Sequence, residues 1–166
     1  MSTSALPALL LDASVLVALH IEEPRSQVVE KRCQAHPLKY TTHFCFFEAM
    51  NIIKSKWLHQ KKIDDSRYHS ACFSLVAWFE AIQRQGWVED SLSSPKLFAE
   101  CREIVTSAGL DYSDALQIAS VKIGYFSGLV GPSAPILATT DRALANAAIQ
   151  RGVRAWVVDQ EESASC

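Results

Sequence analysis

Residues 8–20 read ALLLDASVLVALH and contain the signals of two consecutive secondary-structure elements. Residues 8–11 form a short apolar run, which is typical of a buried strand, and Asp12 ends that run. The apolar residues that follow recur at helical spacing, and Ser14 is a candidate cap for this helix. The stretch therefore predicts a buried strand that leads into a helix, with an acidic side chain at the junction.

The alternation of strand and helix patterns continues along the whole chain. Further strands are predicted at residues 38–42, 87–89, 135–139 and 155–158. Helical patterns lie between them, after Pro24, at residues 44–58, after Asp65, from Pro95 to Gly109, from Asp114 onward and from Asp141 to Gln150. Because parallel strands need crossover connections, this alternation predicts a mostly parallel sheet of about five strands with helices on both faces, a three-layer α/β/α sandwich.

Length and composition indicate one globular unit. The chain has 166 residues, of which 49% are hydrophobic and 20% are charged, as in ordinary globular proteins. We expect a single domain over residues 1–159 and a flexible tail at 160–166. The formal net charge of -2 gives no overall attraction to a polyanion, so nucleic-acid binding would rely on bound cations or local basic patches.

Cysteine usage and the N-terminus indicate a cytoplasmic protein. The five cysteines are odd in number and form no C-x-x-C pair, which favours reduced thiols over a zinc site or a disulfide framework. The N-terminus has no basic region of the kind that begins a signal peptide. No apolar stretch approaches the roughly 18 residues that span a bilayer, so we expect no membrane contact.

Four acidic residues occupy positions that the predicted topology brings together. Asp12 and Asp141 each follow a predicted strand, so both should lie at the carboxyl edge of a parallel sheet. Asp114 and Glu48 lie near the starts of predicted helices, which can face the same edge. Carboxylates this close raise one another's pKa unless cations neutralise them, and Mg²⁺ prefers oxygen ligands. The pattern predicts a site for one or two Mg²⁺ or Mn²⁺ ions.

Three neighbouring polar residues have expected supporting roles. Ser14 and Thr140 adjoin two of the acids and are predicted to hold the carboxylates, or waters on the metal, by hydrogen bonds. Asp111 lies three residues before Asp114, which is the spacing of a capping box. Asp111 is therefore expected to cap a helix, although it is also an extra acid that could join the site.

At these residues the sequence resembles the PIN domain family, in particular the bacterial VapC-type toxins. The matching segments, in the family's order and roughly its spacing, are LLLDASVLVALH, THFCFFEAMNIIKSK, GLDYSDALQIASVKIG and ILATTDRALANAA. The resemblance covers about residues 8 to 159. It implies that Asp12, Glu48, Asp114 and Asp141 are the catalytic, metal-binding acids of an Mg²⁺- or Mn²⁺-dependent endoribonuclease. It further implies the toxin component of a type II toxin-antitoxin system, a homodimer and a cognate antitoxin.

Other interpretations of these residues remain open. Asp114 and Asp141 can simply complement helix dipoles, and Asp12 can be an N-cap. A PIN domain that binds RNA or protein without cleavage is the alternative to a nuclease. A phosphatase of the haloacid dehalogenase type also begins with a strand that ends in aspartate, but that chemistry needs a second aspartate where this chain has Ser14.

Basic and aromatic residues supply candidates for substrate and subunit contacts. The stretch 54–62, KSKWLHQKK, is either an RNA-contacting surface or a solvated helix end, and Lys54 and Arg142 are candidate phosphate-binding residues. Phe44, Phe46 and Phe47 are expected to belong to the core and to a dimer interface.

Overall fold

The computed structural model describes residues 6–86, 88–89 and 94–158. The predicted tail at 160–166, and Trp87 of the predicted third strand, lie outside the described residues. The strands are β1 (Leu9–Leu11), β2 (Lys39–Thr42), β3 (Val88–Glu89), β4 (Ile136–Thr139) and β5 (Arg154–Val157). The helices are α1 (Ala13–His20), α2 (Ser26–Ala35), α3 (His43–Leu58), α4 (Asp65–Arg84), α5 (Pro95–Ala108), α6 (Tyr112–Lys122) and α7 (Arg142–Gln150). Two short 3₁₀ helices, Tyr125–Gly128 and Gly131–Ser133, precede β4.

The strands form a sheet in the order β3-β2-β1-β4-β5, and each pair of neighbours is parallel. Strands β1, β2, β4 and β5 make up its four-stranded body, which the two-residue β3 extends beside β2. Strand β1 is central, with Leu10 opposite Tyr40 of β2 and Leu137 of β4. The predicted parallel sheet is confirmed.

The residues of β1 divide their side chains between two cores. Successive side chains of a strand point to opposite faces, and Leu9, Leu10 and Leu11 are all fully buried. Leu9 and Leu11 pack with α1–α4, through a cluster that includes Val15, Val29, Ala49 and Leu75. Leu10 packs with α5–α7, through a cluster that includes Leu97, Ile118 and Leu144. Helices therefore cover both faces, which is the predicted α/β/α sandwich.

Local capping signals set several helix ends. Thr42 accepts a hydrogen bond from the backbone N–H of Cys45, and Ser94 does the same for Leu97 at the start of α5. Helix α5 ends at Gly109, whose φ of 68° is left-handed and favours glycine. The predicted cap at Ser14 is wrong. Helix α1 starts at Ala13, and the Ser14 hydroxyl donates to the carboxylate of Asp12 instead.

The three phenylalanines near the start of α3 differ in their environments. Phe46 stacks on Phe79 of α4 with ring centroids 4.1 Å apart, which confirms its place in the core. Phe44 and Phe47 are 45% and 62% exposed. The dimer interface expected at these residues stays a prediction.

Among the described residues, none of the helices combines the length and the apolar composition that crossing a membrane requires.

Leu137→Ala should destabilise the fold by about 2–5 kcal/mol, because it leaves a cavity in the core between the sheet and α5–α7. The matched control is Leu58→Ala at the end of α3, where the side chain is 39% exposed and the loss should stay below about 1 kcal/mol. Urea unfolding followed by circular dichroism gives both values. Equal losses in the two variants would contradict the assignment of Leu137 to the core.

Candidate active site

The carboxyl ends of β1 and β4 place Asp12 and Asp141 in one hydrogen-bonded chain. Asp12 follows β1 and is only 5% exposed, whereas Asp141 is exposed and occupies the N-cap of α7. The Thr139 hydroxyl donates to Asp12 Oδ2 at 2.8 Å, and the backbone N–H of Asp141 donates to Thr139 Oγ1 at 2.9 Å. One threonine side chain therefore connects the two acids.

Hydroxyl and amide donors surround the buried carboxylate of Asp12. Ser14 Oγ donates to Oδ2 at 2.6 Å, beside the bond from Thr139, and Gln117 Nε2 donates to Oδ1 at 3.0 Å. A buried charge is costly unless it is hydrogen-bonded, and these donors meet that need without a cationic side chain. They come from α1, β4 and α6, so the position of Asp12 depends on three separate elements.

Gln117 brings Asp12 and Asp114 together. Its side-chain nitrogen lies 3.0 Å from Asp12 Oδ1 and 3.4 Å from Asp114 Oδ1. Gln117 is fully buried, and its Oε1 has no hydrogen-bond partner among the described residues. A buried amide oxygen without a protein partner is commonly satisfied by a water or an ion.

Glu48 reaches the same region from α3. The Ser113 hydroxyl lies 3.4 Å from Glu48 Oε2 and donates to Asp111 Oδ1 at 2.9 Å. Asp111 also accepts from the backbone N–H of Asp114 at 2.9 Å, which confirms it as the N-cap of α6. Asp111 is thus a cap whose carboxylate also lies close to the site.

The electrostatics show that these acids act on one another. The pKa of Asp114 is raised from 3.8 to about 7, first by burial and then by the charges of Asp111, Asp12, Glu48 and Asp141. The pKa of Glu48 is also raised, first by burial and then by Asp12 and Asp111, while its hydrogen bond from Ser113 acts in the opposite direction. The four predicted acids therefore share one region of negative potential.

The side chains are not arranged as a ready metal site. Within residues 6–86, 88–89 and 94–158, no group of three or more His, Cys, Asp or Glu side chains converges closely enough to hold an ion. One reason is that Asp141 Oδ1 accepts from the N–H groups of Ala143 and Leu144 at 2.6 and 3.1 Å. The donor set itself suits a hard cation such as Mg²⁺, since it consists of carboxylates and one unpartnered amide oxygen. The metal-binding role stays a prediction.

Sequence patterns missed three residues of the site, which are Ser113, Gln117 and Thr139. Thr140 was predicted to hold the carboxylates by hydrogen bonds, but only its backbone N–H contributes, by donating to Ser14 Oγ at 3.0 Å. The hydroxyl that donates to Asp12 belongs to Thr139. Gln117 was not anticipated at all. Its signal was a lone polar side chain in the apolar run ALQIAS, one helical turn after Asp114.

The candidate substrate-binding residues lie at the surface. Lys54 and Arg142 are exposed, Arg142 directly beside Asp141. Trp57 in the basic stretch stacks on Tyr68 with centroids 4.3 Å apart, and its ring N–H donates to Asp65 at 2.7 Å. Trp57 is thus engaged between α3 and α4, and RNA contact by this stretch stays a prediction.

Fold and site together define an α/β protein with a cluster of acids at the carboxyl edge of a parallel sheet. Neither the known family profiles nor the curated proteins compared with the sequence give a match. The chain is similar to the crystal structure of PAE2754 from Pyrobaculum aerophilum, with 17% identity and a TM-score of 0.58 over 100% of this chain and 96% of that one. At this identity the similarity concerns the fold, and it supports the α/β/α architecture.

Thr139→Val should cost about 1–3 kcal/mol of stability at neutral pH, because Asp12 loses a donor and the Asp141 N–H loses its acceptor. Thr140→Val is the matched control and should change stability by less than about 0.5 kcal/mol. Urea unfolding measures both variants. A larger loss of stability in Thr140→Val than in Thr139→Val would show that the hydroxyl bonded to Asp12 belongs to Thr140 and not to Thr139.

Asp114→Asn should stabilise the metal-free protein at pH 8, by about 1–2 kcal/mol once solvent screening of this partly exposed group is taken into account. The folded-state pKa of Asp114, about 7, exceeds its ordinary value of 3.8, so the folded state holds a proton that the unfolded state releases. The stability that this proton contributes is complete below pH 4 and is lost as the pH rises through 7.

Thermal unfolding in EDTA between pH 4 and pH 8 tests this expectation. The gain in the asparagine variant should shrink toward pH 4, and Glu103→Gln, an exposed acid on α5, should follow the wild-type profile. An asparagine variant that is less stable than the wild type at pH 8 would contradict the electrostatic assignment.

Proposed function

We propose that the chain is a divalent-metal-dependent endoribonuclease that hydrolyses RNA phosphodiester bonds with its four clustered acids. The observation that carries the proposal is the Gln117 amide nitrogen, 3.0 Å from Asp12 and 3.4 Å from Asp114. It places carboxylates from distant parts of the sequence side by side at the edge where open parallel sheets bind ligands. The resemblance of the four acidic segments to the PIN domain family supplies the reaction class.

The acids Asp12, Glu48, Asp114 and Asp141 would hold one or two Mg²⁺ or Mn²⁺ ions. Such a cation supplies, when bound, an activated water and positive charge for the leaving oxygen. The protein's own groups keep the ligands in place: Ser14, Thr139 and Gln117 orient the carboxylate of Asp12, and Ser113 lies within reach of Glu48. An unpartnered Gln117 Oε1 adds a neutral oxygen to the site.

A phosphodiester substrate fits the charges of this region only together with cations. The cluster of acids repels a polyanion, and the formal net charge of -2 does not compensate. Divalent ions held by these acids would supply the positive charge that the scissile phosphate needs at this edge. Lys54 and Arg142, both exposed, are the side chains that we assign to neighbouring phosphates.

The biological setting of the proposal rests on the family resemblance. We assign the chain to the toxin component of a type II toxin-antitoxin system, acting in the cytoplasm as a homodimer under the control of a cognate antitoxin. The exposed rings of Phe44 and Phe47 on α3 are the surface that we assign to the dimer.

The alternative function is a PIN-type scaffold that binds RNA or protein without cleavage. It is favoured by the internal bonds of the acids, since both oxygens of Asp12 accept from protein donors and Asp141 caps α7. In a scaffold these acids would have structural roles alone. The two functions differ in whether the site binds a divalent ion.

The purified chain should cleave RNA in the presence of Mn²⁺ or Mg²⁺, and EDTA should abolish the activity. Asp114→Asn and Asp12→Asn should each lower the cleavage rate by at least about 100-fold, the scale on which loss of even a metal-orienting group acts. Glu103→Gln is the control and should cleave like the wild type. A fluorogenic RNA panel measures cleavage, and circular dichroism verifies the fold.

Calorimetric titration with Mn²⁺ separates the two functions. A nuclease should bind Mn²⁺ in the wild type and bind it far more weakly after Asp114→Asn. Folded, inhibitor-free wild type that binds no Mn²⁺ and leaves all RNAs intact would instead establish the scaffold.

A further inference from the structure

Strand β5 forms an edge of the sheet. It pairs with β4, and no described strand lies on its other side. The backbone N–H of Val158, just past the strand, donates to Thr139 O of β4 at 2.9 Å. Alternate residues of a parallel strand direct their backbone groups to opposite sides, so Arg154 and Trp156 face β4 while Ala155 and Val157 face away from it. The outer edge of β5 thus presents backbone donors and acceptors to a further strand.

A groove of about 520 Å³ runs along this edge. Its lining includes Trp156 and Ile136, which pack on the α1–α4 side, and Val153 and Ala155, which pack on the α5–α7 side. Since residues from both faces of the sheet contribute, the groove follows the strand edge rather than one face. Ile149, 57% exposed, adds apolar surface to it.

Among the described residues, the charged side chains that line the groove have one sign. These are Arg32 and Arg154, and none of the other described residues that line it is acidic. The guanidinium of Arg32 lies over the Trp156 ring, 5.2 Å from its centroid, and Arg154 donates to the backbone oxygen of Ala134. Both arginines are therefore held at the edge, where they attract carboxylates.

We propose that this groove binds an extended acidic segment of a partner protein, which adds to the sheet as a further strand beside β5. The backbone groups of Ala155 and Val157 would bond the segment, and its alternate side chains would meet Trp156 and the two arginines. A second copy of this chain fits less well, because it would bring the same arginines to the edge. The outward backbone groups favour a peptide over a nucleic acid.

A fluorescein-labelled peptide of alternating valine and glutamate is the probe, and fluorescence polarisation with the full chain is the measurement. Binding should weaken roughly 10-fold in Val157→Pro, because proline removes the N–H that faces the peptide and leaves the bonds to β4 intact. Val157→Thr keeps that N–H and should bind like the wild type. Arg32→Glu should also weaken binding, whereas Arg102→Glu on α5 should not.

Amide hydrogen exchange on the unsubstituted protein gives a second readout that needs no variant. Addition of the peptide should slow exchange at Ala155 and Val157 more than elsewhere in the sheet. Asp114→Asn should bind the peptide normally, so the outcome is independent of the nuclease proposal.

Several results would overturn the proposal. These are absence of binding at about 1 mM peptide, equal binding of a valine-lysine peptide, or equal binding of a peptide N-methylated at alternate residues. The proposal would also be overturned if the chain bound an RNA oligonucleotide but not the peptide, and if Arg32→Glu abolished that RNA binding. Sedimentation showing a dimer that Val157→Pro dissociates would assign the edge to a second copy instead.

Discussion

The buried carboxylate of Asp12 connects three separate elements at the carboxyl edge of the sheet. It lies at the end of the central strand and is 5% exposed, so its charge must be met by protein donors. The donors are Ser14 of α1, Thr139 of β4 and Gln117 of α6. Each bond fixes the position of a different element relative to β1. The carboxyl edge of the sheet is thereby organised around one negative charge.

The acids beside Asp12 have fewer hydrogen bonds than Asp12 to offset their burial. Asp12 accepts from three side-chain donors, while the pKa values of Glu48 and Asp114 are raised first by burial and then by the charges of neighbouring acids, Asp12 among them. The bonds from Ser113 and Gln117 to these two acids, both at 3.4 Å, are long. Asp12 is therefore fully hydrogen-bonded, whereas Glu48 and Asp114 are partly buried acids with few donors and raised pKa values.

Much of this arrangement could be predicted because its signals are local or topological. Ser94-Pro95 and Gly109 set the ends of α5 by capping rules alone, and parallel strands oblige Asp12 and Asp141 to share an edge. The hydroxyl at Thr139 could not be distinguished from that at Thr140, because a shift of one residue in a strand reverses the direction of its side chain. The role of Gln117 could not be predicted, because it depends on how α6 packs against the end of β1. The distances between the carboxylates depend on side-chain packing, which spacing does not encode.

Asp114 does not behave as an acid that only complements a helix dipole. A carboxylate that merely complements a helix dipole is stabilised in its charged form, so its pKa falls. The pKa of Asp114 rises to about 7 instead, and Asp111 already fills the cap of α6. The amide of Gln117, 3.4 Å away, is too distant to offset burial and four neighbouring charges. The divalent cation that we propose would offset both the burial and the neighbouring charges at once, whereas a purely structural role would leave them uncompensated.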